Sequence, residues 1–261
     1  MTNSYVYGLI VLAYGVFNTT LYAQDSAKKN LHVYLLIGQS NMAGRAPFNH
    51  KDAAVVKRAY LLNDKNEWEP AKNPLNRYST IRKSLDLQKM NPGYAFVKTI
   101  LATNKNVSIG LVVNARGGSS IKQWTKSSKF YKEALKRTRI ALKNGTLKGI
   151  LWHQGESDAK DARYLDKLKI LIANLRSDFG IPNLPFVAGQ INRVPLINEQ
   201  IKKLPEVVPH TGYVTSKGLK TMDRWHFNPK SIKILGERYA KEMLKLHTEL
   251  KVELKKVSVE K

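Results

Sequence analysis

Short, almost unbroken hydrophobic runs alternate along this sequence with stretches in which apolar residues recur at helical spacing. Residues Leu31 to Ile37 form the first run, with Val33, Tyr34 and Ile37 in it. That length and density suit a strand covered on both faces of a parallel sheet. Gly38 ends it, polar Gln39, Ser40 and Asn41 follow, and Met42, Ala43 and Gly44 read as the first turn of a short helix. Further strands are predicted over Val107 to Val113, Leu147 to Trp152 and Leu184 to Gly189, with Gly212 to Thr215 leading into a fifth. Arg58 to Leu62 reads as a shorter strand turning at Asn63 to Asn66 towards Trp68. Helices are predicted over Tyr94 to Thr103, Ser128 to Lys143, Asp161 to Phe179, Val194 to Leu204 and Pro229 to Leu250. Asn228 suits the N-cap of the last, and Pro229 its first helical position. The stretch from Pro70 to Pro92 lacks periodicity and reads as a long surface loop bordering a crevice. Strands alternating with helices predict a three-layer α/β/α sandwich around a central, mostly parallel sheet.

A length of 261 residues fits one such domain. Before it, Tyr5 to Phe17 is apolar and too short to span a bilayer comfortably, and Ala23 offers a cleavage position before Gln24. No Lys or Arg precedes the run. The expectation is a secretory signal at residues 1–23, a single domain at 24–261, export from the cytoplasm and no integral membrane segment in the mature chain. With no cysteine, disulfides, thiolate metal sites and a cysteine nucleophile are excluded. The net charge of +24 raises nucleic-acid binding as a reading. The lysines are scattered between apolar positions at helical spacing, however, with no Arg-rich arm, zinc finger or RNP-like motif. A solvated basic surface is the better reading, one that would also attract an acidic polysaccharide, and no specific nucleic-acid partner is expected.

The ends of the first three long strands carry GQSNMAG, ARGGSSIKQW and WHQGESD. In a parallel sheet those ends share one edge, where open α/β folds place their ligands. Ser40 alone reads more readily as a helix N-cap than as a nucleophile. A serine nucleophile needs a base within reach, and the base needs an orienting carboxylate. Asp223 and His226, three residues apart ahead of the last helix, have that spacing, although an isolated pair of this kind is more often structural.

The four motifs in order, over about Leu31 to Leu246, resemble the SGNH-type hydrolases. The similarity is to the sialate O-acetylesterase-like branch, which includes acetylxylan esterases of carbohydrate esterase family six. The resemblance implies the same α/β/α fold, removal of O-acetyl groups from carbohydrate, Ser40 as nucleophile, His226 as general base and acid, and Asp223 as its orienting group. It also implies an oxyanion hole made by the Ser40 N–H, the Gly118 N–H (Gly117 being the close alternative) and the Gln154 side chain. Gln39 and Gln154 depart from the Asp and Asn usual in the wider superfamily. Glu156 and Asp158 read as structural rather than as a glycosidase pair, Glu156 lying under the site and Asp158 capping the next turn. His153 reads as a packed neighbour of Trp152. Trp124 divides evenly between core and pocket lining, and Arg116 between a substrate acid and a local carboxylate; these two and Glu156 are the substrate-binding candidates. No spacing suggests a metal site, so no cofactor is expected. The rivals are a noncatalytic carbohydrate-binding protein and a nucleic-acid-binding one. Which acetylated sugar is taken, and the oligomeric state, are open.

Overall fold

The computed structural model describes residues 30–259, so the expected leader at residues 1–23 lies outside the described residues. Strand β1 (Leu31–Gly38) lies at the centre of a seven-stranded sheet. Beyond it come β2 (Ala59–Leu62), β3 (Trp68–Pro70), β4 (Ser108–Val113), β5 (Thr146–His153), β6 (Phe186–Gly189) and β7 (Thr211–Val214). Their spatial order is β3-β2-β4-β1-β5-β6-β7, parallel except for the antiparallel β2–β3 pair. The chain runs from β1 to one side and returns through β4, then crosses to β5 on the other side. The carboxyl ends of β4, β1 and β5 therefore meet at the point where the winding reverses.

The period of two along β1 separates two cores. Tyr34 and Leu36 pack with Phe96 and Ile100 of α2 (Gly93–Thr103) and with Leu235, Tyr239 and Met243 of α7 (Pro229–Val259). Val33, Leu35 and Ile37 face the opposite layer, with Tyr131 of α3 (Lys129–Ala141) and Leu168 and Ile172 of α4 (Tyr164–Phe179). Tyr34 meets Phe96 edge-on at 5.0 Å, and Trp124 meets Trp152 edge-on at 5.4 Å. Both faces of the sheet are covered, which is why its central strands read as continuous apolar runs.

Several boundaries differ from expectation. The helix predicted from Val194 to Leu204 is two pieces, α5 (Pro195–Lys202) and α6 (Leu204–Val207). Pro205 lacks the N–H needed to continue the first. Trp68–Pro70 is a strand rather than the far side of a turn, since its pairing with Tyr60 to Leu62 comes from the hairpin geometry and not from local periodicity. The last helix continues nine residues past its expected end at Leu250, to Val259. Asn228 caps it as expected, its Oδ1 accepting from Ser231 N at 2.8 Å. Among the described residues no helix is long and apolar enough to cross a membrane.

The segment between β1 and α2 is tied down at its root. Gly44 O accepts from Lys89 N at 3.2 Å, Ala46 O from Met90 N at 2.9 Å, and Met42 O from Asn91 Nδ2 at 2.9 Å.

Candidate active site

Gly38 ends β1 at φ +136°, and a Cβ there would run into the His153 carbonyl, so only glycine fits the turn. Gln39 N donates to that carbonyl at 2.8 Å, and the chain enters the single turn α1 (Ser40–Ala43). Ser40 is buried at 7% exposure, and its Oγ makes no hydrogen bond among the described residues.

Asn41 ties this turn to the loop ahead of α7. Its Oδ1 accepts from Phe227 N at 3.1 Å and its Nδ2 donates to Trp225 O at 3.1 Å, so the two hydrogen bonds straddle His226. On that loop Asp223 Oδ2 lies 2.7 Å from His226 Nδ1. Asp223 Oδ1 accepts from Trp225 N at 2.7 Å and His226 N at 2.8 Å. Burial works to raise the Asp223 pKa, but these N–H donors and the His226 ring outweigh it and hold the carboxyl at about 2. An ionised Asp223 makes Nδ1 the donor, which leaves the Nε2 lone pair without a protein partner. The pair is partly open to solvent, with side-chain exposures of 23% for His226 and 52% for Asp223.

The β4 end closes the other side. Arg116 N donates to Gly38 O at 3.0 Å, which seats Gly117 beside the serine. The place a Gly117 Cβ would take is 3.8 Å from Ser40 Cβ and 2.5 Å from Arg45 Nη2. Gly118 turns at φ +73°. The N–H groups of Ser40, Gly117 and Gly118 have no acceptor among the described residues.

The β5 end lies beneath. Gln154 is fully buried, and its Nε2 donates to Ser119 O (2.9 Å), Gln39 Oε1 (3.1 Å) and Asp158 Oδ2 (2.5 Å). Its expected part in the oxyanion hole does not fit this arrangement, because its donors are spent below the serine and its remaining Oε1 is an acceptor. Asp158 Oδ2 also accepts from Ile121 N at 2.8 Å, so it caps the single turn Ile121–Trp124 rather than the turn that follows it. Trp124 belongs to the core at 1% exposure, donating from Nε1 to Ser119 Oγ at 3.2 Å. Arg116 makes no ion pair among the described residues; its Nη1 donates to Ile81 O (2.9 Å) and Arg82 O (3.2 Å).

Glu156 lies under the site, Oε1 accepting from Asn41 Nδ2 at 3.0 Å and Oε2 without a partner. Burial raises it from 4.5 to about 7, against the hydrogen bonds that favour its ionised form. His153 stacks edge-on against Phe227 and Tyr239, and burial lowers it to about 3. Tyr239 spends its hydroxyl proton on Trp152 O at 2.6 Å, so His153 Nδ1 is the donor in their 3.1 Å contact. His153 is a neutral packing residue.

The structure thus brings together Ser40, Gly117, Gly118 and the Asp223–His226 loop. Asn41 and Arg45 carry no signal in the sequence, where Asn41 reads as one of a polar trio ahead of the short helix and Arg45 as the start of a polar loop. An open depression of about 670 Å³ adjoins the Asp223–His226 loop, bounded by Arg193, Thr221, Met222, Asp223, Arg224 and Trp225. Among the described residues no three His, Asp or Glu side chains form a group that could hold a metal ion.

A family model described as carbohydrate esterase, sialic acid-specific acetylesterase matches residues 30–245. A probable carbohydrate esterase from Arabidopsis thaliana is 36% identical over 180 residues, which cover 59% of this chain and 66% of that protein. A solved structure from the same plant superposes with a TM-score of 0.74 at 28% identity, covering 83% of this chain and 98% of that one. The crystal structure of NanS matches with a TM-score of 0.70 at 16% identity, covering 85% and 98%. That of a carbohydrate acetylesterase from Xanthomonas citri matches with 0.60 at 21% identity, covering 81% and 55%. The last two speak to the fold alone.

Proposed function

Because the chain belongs to the sialic acid-specific acetylesterase family of carbohydrate esterases, we propose that it removes O-acetyl groups from carbohydrate through a Ser40–His226–Asp223 triad. The observation that carries this reading is the Asp223–His226 pair, 2.7 Å apart with Nε2 left open, on a loop fastened by the side chain of Asn41, the residue after the serine. Ser40 Oγ gives its proton to His226 Nε2 and attacks the acetyl carbonyl. The tetrahedral oxygen forms against the N–H groups of Ser40 and of Gly117 or Gly118, which are held in place and unpaired beforehand. The imidazolium, oriented and stabilised by Asp223, protonates the departing sugar oxygen. His226 then takes a proton from water, the hydroxide attacks the acetyl-serine, and acetate leaves as the proton returns to Oγ. Apo sites of this kind often form the serine–base bond only once substrate is bound.

Gln154 has a supporting part in this scheme. It holds the oxygen of Gln39, which also accepts from Gly155 N at 3.2 Å, and so fixes the residue before the nucleophile. Export through the Tyr5 to Phe17 stretch is also part of the proposal and rests on its composition.

The test is acetate release from acetylated sugars and a generic acetyl ester. Ser40→Ala and His226→Ala should each lose about three orders of magnitude or more in kcat, and Asp223→Asn a comparable amount by favouring the wrong tautomer. Folded parent protein that releases no acetate from any of them would overturn the esterase reading in favour of carbohydrate binding alone.

A further inference from the structure

Two residues, Arg224 and Trp225, separate Asp223 from His226, and their main chain is pinned. Arg224 O accepts from Asn192 Nδ2 at 3.1 Å, Trp225 N donates to Asp223 Oδ1 at 2.7 Å, and Trp225 O accepts from Asn41 Nδ2 at 3.1 Å. Their side chains take no part in that fastening. The Arg224 guanidinium lies over the Trp225 ring, 4.6 Å from its centre, and makes no hydrogen bond or ion pair among the described residues. The indole is partly buried against the core on the α4 side of the sheet, and its N–H has no acceptor among those residues either.

Both side chains border the depression of about 670 Å³ beside this loop, and Arg193 and Met222 are exposed on it. The Arg193 guanidinium and the Thr221 hydroxyl are likewise unpartnered among the described residues. Asp223 is the one carboxylate on its rim, and both its oxygens already accept hydrogen bonds from their own loop. The depression thus offers two guanidinium groups, an indole N–H and a hydroxyl beside the apolar surface of Trp225 and Met222. Its size falls within the range of small-ligand sites, about 300–1,000 Å³. Donors in excess beside an apolar surface suit a pyranose, whose hydroxyl and ring oxygens accept and whose C–H faces are apolar. Stacking on the indole, rather than bonds to acceptors, holds Arg224 in place, so its N–H groups stay available to a ligand.

On the esterase mechanism His226 protonates the sugar oxygen as it leaves, so the sugar lies against the loop that carries Arg224 and Trp225. We propose that the depression is a subsite for the sugar unit glycosidically linked to the acetylated one, with the Arg224–Trp225 stack as its platform. The enzyme then takes oligosaccharides in preference to the free acetylated sugar. This inference rests on the esterase reading for its chemistry, while the binding it assigns can be measured without turnover.

The experiment compares acetate release from one acetylated sugar, free and within an oligomer. The pairs are O-acetyl-xylose with mono-O-acetyl-xylotetraose, and O-acetyl-N-acetylneuraminic acid with its α2,8-linked trimer acetylated at the same position. In at least one pair the parent should prefer the oligomer by about tenfold or more in kcat/KM. In Arg224→Ala and in Arg193→Gln that preference should shrink to within about twofold, through a higher KM for the oligomer. A parent indifferent to chain length in both pairs, or faster on the free sugars, would overturn the assignment. So would variants that lose free sugar and oligomer equally, since that marks damage to the His226 loop. Both substituted side chains are exposed, and if one variant fails to fold the other decides. If no acetate is released from any substrate, the esterase reading fails separately. Calorimetric titration of unacetylated xylotetraose and of the sialic acid trimer onto the parent and Arg224→Ala then decides. Weaker binding to the variant supports the subsite, and equal binding or none refutes it.

Discussion

Glu156 shows how a residue's surroundings can override its type. A carboxylate in the third motif tempts a catalytic reading, yet its one hydrogen-bonded oxygen holds Asn41 and the other faces no partner. Its ordinary value of 4.5 is raised to about 7. Between those values the unfolded chain gives up this proton while the folded chain keeps it, so stability falls as pH rises through that interval and levels off above it. Thermal melts should show the parent losing several degrees in Tm from about pH 5 to about pH 8 relative to Glu156→Gln. Parallel pH profiles for the two would refute the shift. The contact between Asp223 and His226 was legible because the two lie three residues apart in sequence. The orientation of Gln154 was not, since it depends on Gln39, Ser119 and Asp158, 115, 35 and 4 residues away. Trp124 was undecidable for a similar reason: nothing nearby in sequence announces that Trp152 lies against it.

Among the elements, the strands covered on both faces announced themselves, and the edge did not. β3 is three partly exposed residues, Trp68, Glu69 and Pro70, too few to display a period. On the proposed mechanism the joint between α1 and the loop ahead of α7 sets the distance from serine to base, and it is made by one side chain. Asn41 holds Trp225 O, Phe227 N and Glu156 at once. Asn41→Ala should therefore lower kcat by about 10- to 100-fold, the cost of a base misplaced by an ångström, with a smaller change in KM. A variant with unaltered kcat would show that the base loop holds its position unaided. The sequence offered no hint of this joint, because its partners lie about 185 residues further along the chain.

Across the molecule, a charge of +24 sits on a fold whose site edge carries Arg45, Lys83, Arg193 and Arg224. Such a field raises the encounter rate of an anionic substrate and weakens as salt is added. kcat/KM for an acidic acetylated sugar should fall several-fold between about 0.05 and 0.5 M salt, with a neutral acetyl ester much less affected. Equal salt dependence would separate the surface charge from substrate capture. The segment bearing Arg45 and Lys83 leaves directly from the Ser40 turn, and three hydrogen bonds at its root fasten its return. That root behaves like a buckle. The exposed side chains near the segment's return, Lys83 and Leu85 to Leu87, can be exchanged without touching the Ser40 turn, so on the proposed mechanism descendants of this chain can change the sugar they accept without rebuilding the machinery that cuts it.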